Sequence, residues 1–148
     1  MHPEPSKWYC DVCGEPIDDA KDGYVIWRSA APSKDRDFKI IHQSRCDRKH
    51  YESSNALEDF LGPRGVAYLL SFLSVGPALH SPQGGYNKVA DMDEFVDFFR
   101  RCQTPFYEEA RRRFQNERFR EDFGDSNELY PYLPETLKRI CENYEPAR

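Results

Sequence analysis

The chain has 148 residues, of which 32% are charged and 39% hydrophobic, and a formal net charge of −5. That length suits one ordinary domain, or one domain with a small appended module, and the composition is not that of a disordered chain. The acidic balance disfavours nucleic-acid binding by the surface as a whole, and no apolar run reaches the roughly 20 residues of a membrane helix.

The N-terminus, Met-His-Pro-Glu-Pro-Ser-Lys, lacks the apolar segment of a signal peptide, so the expected location is cytoplasmic, where disulfides are rare. Five cysteines also fit poorly with a fully paired disulfide framework. Residues 1–9 read as a short tail, with Trp8-Tyr9 covering the segment that follows. Cys10-Asp-Val-Cys13-Gly14 has the form of a metal knuckle. A tight turn of this kind aims two thiolates at one ion, and Gly14 sits where such a turn often needs positive φ.

Tyr24–Trp27 and Phe38–His42 are strand candidates, rich in β-branched and aromatic residues, separated by a loop over Ser29 to Asp37. Paired as a hairpin, they return His42 to the knuckle. Asn55 followed by Glu58 predicts a capped helix start, stopped at Gly62-Pro63. Pro63 opens a second helix, whose Val66, Leu69, Leu70 and Leu73 form a buried stripe. Residues 76–90, with His80 and several Pro and Gly, read as a long irregular loop of the mobile or functional kind.

Asp91 and Glu94 then make a capping-box pattern ahead of a helix facing inward through Met92, Phe95, Val96, Phe99 and Cys102. Thr104-Pro105 starts another helix, expected to run to about Arg120, on which Phe106, Ala110 and Phe114 share a face while Phe119 and Phe123 do not. That helix must therefore bend or be covered on two sides. Pro134 opens the last helix, with Leu137, Ile140, Cys141 and Tyr144. The expected fold class is α+β: a small zinc-bound β-hairpin module over residues 1–62, packed as one domain with a mainly helical part over residues 63–148.

The candidate metal ligands are Cys10, Cys13, His42 and Cys46. Zinc takes four Cys and His ligands in a tetrahedron, and a Cys-x-x-Cys turn supplies half of it. His42-x-x-x-Cys46 supplies the second pair. His50, equally spaced on the other side of Cys46, competes with His42. His42 is favoured because it ends a strand among apolar neighbours. A thioredoxin-like redox pair is disfavoured, since no βαβ pattern surrounds the motif. Knuckle, hairpin and a ligand pair leading toward a helix resemble the treble-clef and zinc-ribbon class of modules over residues 8–62. The resemblance implies structural zinc and a role in binding protein or nucleic acid.

Arg111, Arg112, Arg113 and Arg118 are candidate anion-binding residues. Nearby Glu108, Glu109, Glu121 and Asp122 offer the alternative of a balanced, solvated helix surface. Cys102 and Cys141 read as small buried hydrophobes, and neither a phosphate-binding loop nor a dinucleotide fingerprint is present. The leading expectation is a zinc-binding intracellular protein with a structural metal site that presents a surface to another protein. The alternatives are nucleic-acid binding through the zinc module and the Arg-rich segment, or a zinc-dependent hydrolase with an open coordination position.

Overall fold

A computed structural model describes residues 4–30, 34–46, 49–79 and 88–147. The fold is α+β, with a β-rich N-terminal part and a helical C-terminal part. Two short strands, β1 (Trp8–Tyr9) and β2 (Pro16–Ile17), pair antiparallel in the register Trp8↔Ile17, so the knuckle is the turn of a miniature hairpin. A second antiparallel sheet has the order β4-β3-β5, formed by β3 (Gly23–Arg28), β4 (Arg36–His42) and β5 (Ser53–Ala56). The β3–β4 pairing sets Gly23 opposite His42 and Val25 opposite Ile40.

The predicted helix start at Asn55 is corrected here. Asn55 lies in β5 opposite Val25, and its side chain accepts from the Ala56 amide, leaving it unable to cap a helix; Glu58 falls in a 3-10 turn over Leu57–Phe60. The first α-helix is α1 (Gly62–Ser71), with proline in its first turn as expected. Its buried positions are Gly65 and Leu69, whereas Leu70 is 49% exposed, so the apolar stripe is narrower than its spacing suggests. A side chain at Gly65 would drive its Cβ to 2.1 Å from the Phe60 carbonyl carbon, and this close approach requires glycine.

Helix α2 (Met92–Gln103) is capped by Asp91, whose carboxylate accepts from the Glu94 amide. Glu94 does not reach back to complete the box. It accepts instead from the amides of Asp37 and Phe38, docking α2 on β4. Phe95, Phe98, Arg101 and Cys102 are the buried residues of α2; Met92 is 47% exposed, another correction to the expected face.

The long helix expected from Thr104 to Arg120 is two shorter ones, α3 (Tyr107–Arg111) and α4 (Glu117–Phe123). Asn116 interrupts it, because its side chain accepts from the Phe119 amide and caps α4 anew. The break turns Phe119 toward Phe114, with which it stacks. The last helix, α5 (Pro134–Asn143), buries Thr136, Leu137 and Ile140.

The larger core cluster runs from Trp8 to Cys102 and joins the strands to α1 and α2. Phe38 is its hub, in ring contact with Trp27, Phe72, Phe95 and Phe98. A second cluster joins Tyr107, Ala110, Phe119, Leu137 and Ile140.

One buried ion-pair network connects the knuckle to the helices. Arg101, with a side chain only 3% exposed, holds Glu108 of α3 in a bidentate pair (2.7 and 2.8 Å) and Asp11 of the knuckle at 2.8 Å. It also donates to the Tyr9 carbonyl, the Tyr9 amide donates to Glu108, and the Trp8 indole N–H donates to the Arg101 carbonyl. Removing one partner of such a network leaves uncompensated buried charge. Arg101→Met is therefore expected to destabilise the chain by about 3–5 kcal/mol in urea denaturation; a loss below about 1 kcal/mol would show that the network carries no structural load.

Candidate metal centre

Each half of the site is delivered by local backbone chemistry. The Cys10 amide donates to the Glu15 carbonyl and the Gly14 amide to the Cys10 carbonyl, closing the turn at Gly14, whose φ is +77°. Asp11 fixes that turn against β4: its amide donates to the Ile40 carbonyl at 2.8 Å, and its carboxylate accepts from the Ile40 amide at 2.7 Å. The same strand ends at His42, and a short turn returns the chain to Cys46, whose amide donates to the His42 carbonyl.

The structure thereby brings Cys10, Cys13, His42 and Cys46 together, with their donor atoms all within 4.8 Å of one another. This is a group able to hold a metal ion. The Cys13 sulfur lies 3.4 Å and the Cys46 sulfur 3.8 Å from Nδ1 of His42. A tetrahedral ion with metal–sulfur bonds of about 2.3 Å and a metal–nitrogen bond of about 2.0 Å would set such an edge at roughly 3.5 Å, between those two distances. His50, the competing candidate, is exposed and stands outside the group.

The histidine is oriented from behind. Its Nε2 lies 3.0 Å from the Pro16 carbonyl and 3.1 Å from an Arg45 guanidinium nitrogen. The carbonyl needs a hydrogen on Nε2, whereas the guanidinium needs a lone pair there. A neutral ring with Nε2–H donating to Pro16 leaves the Nδ1 lone pair aimed at the sulfurs, which is the arrangement a ligating histidine takes.

Electrostatics separate the thiols. Burial opposes ionisation of Cys10, but the amides of Cys13, Val12 and His42 directed at its sulfur prevail and bring its pKa down to about 6. Cys46 moves the other way, to about 11, through burial and through its hydrogen bonds with, and the charge of, the two knuckle thiols. Cys10 and Cys46 are thus pushed in opposite directions, and a bound dication would resolve the conflict by favouring the thiolate form of its ligands.

The four sides of the site differ in exposure. Cys10 and His42 are 3% and 7% exposed, Cys46 is half-buried and Cys13 is exposed. A groove of about 670 Å³ opens beside Cys46, lined by Tyr24, Ile41, Arg45, Tyr51 and Ser54 among others.

The candidate anion residues do not share one face. Arg111 pairs with Asp97 at 2.6 Å, and Arg113 donates to the carbonyls of Tyr144 and Glu109. Arg112 lies 4.0 Å over the Tyr9 ring and Arg118 5.5 Å over Tyr144. Cys102 is fully buried and its thiol pKa is pushed up by that burial; Cys141 is half-buried. His80 lies outside the described residues. The supporting roles of Pro16, Asp11 and Arg101 were not read from sequence. Asp11 had a usable signal, an acid between the two knuckle cysteines; the Pro16 contact is a backbone one and had none.

No protein-family model, curated protein or solved structure matches this chain. The site therefore rests on its own geometry. His42→Ala is expected to abolish stoichiometric metal binding, measured by elemental analysis after desalting, while His50→Ala leaves it intact. The reverse pattern would assign the fourth ligand to His50.

Proposed function

We propose that this is a zinc-binding protein in which the metal is structural and the folded chain serves as an interaction module for another protein. The observation that carries the reading is the Cys10, Cys13, His42 and Cys46 group with its histidine held from behind by Pro16. Thiolate and imidazole donors in a tetrahedral set favour zinc over the harder divalent ions, which prefer oxygen. Four protein donors close the coordination shell, whereas catalytic zinc keeps a position for water or substrate. This supports a structural site over a hydrolytic one.

The metal joins segments that local structure alone would hold weakly. The knuckle is backed by a ladder of two residues per strand, and Cys46 follows a turn outside the sheets. The surface also carries exposed apolar side chains, including Val12 at the knuckle tip and Leu129 and Tyr130 before α5, which suit contact with a partner. The acidic net charge and the engaged arginines lend nucleic-acid binding no comparable support.

Zinc-edge X-ray absorption on the purified protein tests the assignment. The expected shell is three sulfurs and one nitrogen at full occupancy, and an oxygen replacing one sulfur would instead support an open, hydrolytic site. Chelation should lower the thermal midpoint. If free zinc stands a thousandfold above its dissociation constant, the metal contributes about 4 kcal/mol, which for a domain of this size is roughly 10 °C. An unchanged midpoint after complete zinc removal would rule out the structural role.

A further inference from the structure

Resting on the zinc reading, we infer that the metal centre has a fixed inner half, Cys10 and His42, and a reactive outer half, and that Cys13 and Cys46 form a thiol pair that a hydroperoxide oxidises to a disulfide with release of the metal.

The asymmetry is visible in what holds each ligand. Cys10 is 3% exposed, and both of its neighbours are anchored. Tyr9 exchanges hydrogen bonds with Glu108 and Arg101 through its amide and carbonyl, and Asp11 is bound to Ile40 and to Arg101. His42 is 7% exposed and fixed by the Pro16 carbonyl and by its place opposite Gly23 in the sheet. The outer ligands have much less around them. Cys13 is exposed at the far side of the knuckle, next to Gly14 with its positive φ. Cys46 lies in the turn after β4, and its wall of the groove lined by Tyr24, Arg45 and Tyr51 opens to solvent.

These positions decide the chemistry. A metal-bound thiolate stays deprotonated and nucleophilic, and an attack on peroxide needs access, which Cys13 has and Cys10 lacks. The Cys13 sulfur attacks one peroxide oxygen, the O–O bond breaks, and a sulfenic acid and hydroxide result. The Cys46 thiolate then attacks that sulfur, displacing a second hydroxide and forming the S–S bond. Two protons convert the hydroxides to water. Two thiolates have together lost two electrons, and the peroxide has gained them.

Closing the bridge requires the two sulfurs, already within 4.8 Å, to approach to about 2.05 Å. The knuckle tip and the Cys46 turn can yield that distance, whereas the clamped Cys10 segment cannot do so without breaking the Arg101 network. With two thiolates gone, only Cys10 and His42 remain as donors, too few to retain zinc.

The test uses the full-length protein loaded with zinc, with zinc content measured before any oxidant is added. Hydrogen peroxide is titrated in while a chromogenic chelator reports released metal, and free thiols are then blocked and disulfides mapped by peptide mass spectrometry. The expected result is loss of one zinc per chain, in step with a Cys13–Cys46 bridge, with Cys10 recovered as a free thiol; dithiothreitol and added zinc restore the starting state. A Cys10–Cys13 bridge, or oxidation of Cys102 or Cys141 with zinc retained, would overturn the inference. Protein that carries no zinc at the outset refutes the metal reading separately. In that case the map still decides the thiol pair, since any bridge other than Cys13–Cys46 rejects it.

Discussion

The arrangement of this molecule depends on one buried guanidinium. Arg101 stands on α2 at a position that spacing alone would give to an apolar residue, between Phe98 and Cys102. Its burial is tolerated because two carboxylates and a carbonyl converge on it from two other elements. Burial works against its charge, and the Glu108 and Asp11 carboxylates more than offset that, so the guanidinium is held charged. An apolar side chain of equal volume could fill the space, but it would not specify which segments meet there. The fork of donors does so, because only an approach that presents Glu108, Asp11 and the Tyr9 carbonyl together satisfies it. Knuckle and helices are thereby fixed in relation to each other through Asp11, which lies between the two knuckle cysteines.

Much of the β-rich half was legible in sequence because its signals are local. The strands at Tyr24–Trp27 and Phe38–His42 carry β-branched and aromatic residues that favour a pleated, half-buried surface, and both lie within observed strands. The fold class stands as expected. The four residues at the metal group could be brought together on paper because the hairpin makes one definite statement about where His42 returns.

What sequence did not yield has identifiable physical causes. At Asn55 the capping signal competed with strand pairing to β3, and the tertiary partner prevailed. At Asn116 a side-chain cap outweighed continuous helical propensity, splitting one expected helix into α3 and α4. Leu70 and Met92 match apolar spacing, yet about half of each remains exposed, since spacing alone does not say which part of a helix a neighbour covers. The Arg101 network joins residues 90 or more positions apart along the chain, which no local signature marks.

The hydrogen-bond acceptor behind His42 is a backbone carbonyl, that of Pro16. A carbonyl is present whatever amino acid occupies the position. Substitution at residue 16 therefore leaves the orienting contact in place, provided the β1–β2 pairing holds its register. This one contact is in that sense indifferent to side-chain identity. A descendant of this chain could change residue 16 and keep that contact, whereas the knuckle itself is held through the side chains of Asp11 and Arg101. At residue 16, resemblance between two such chains would then have to be sought in how the backbone is routed past the histidine.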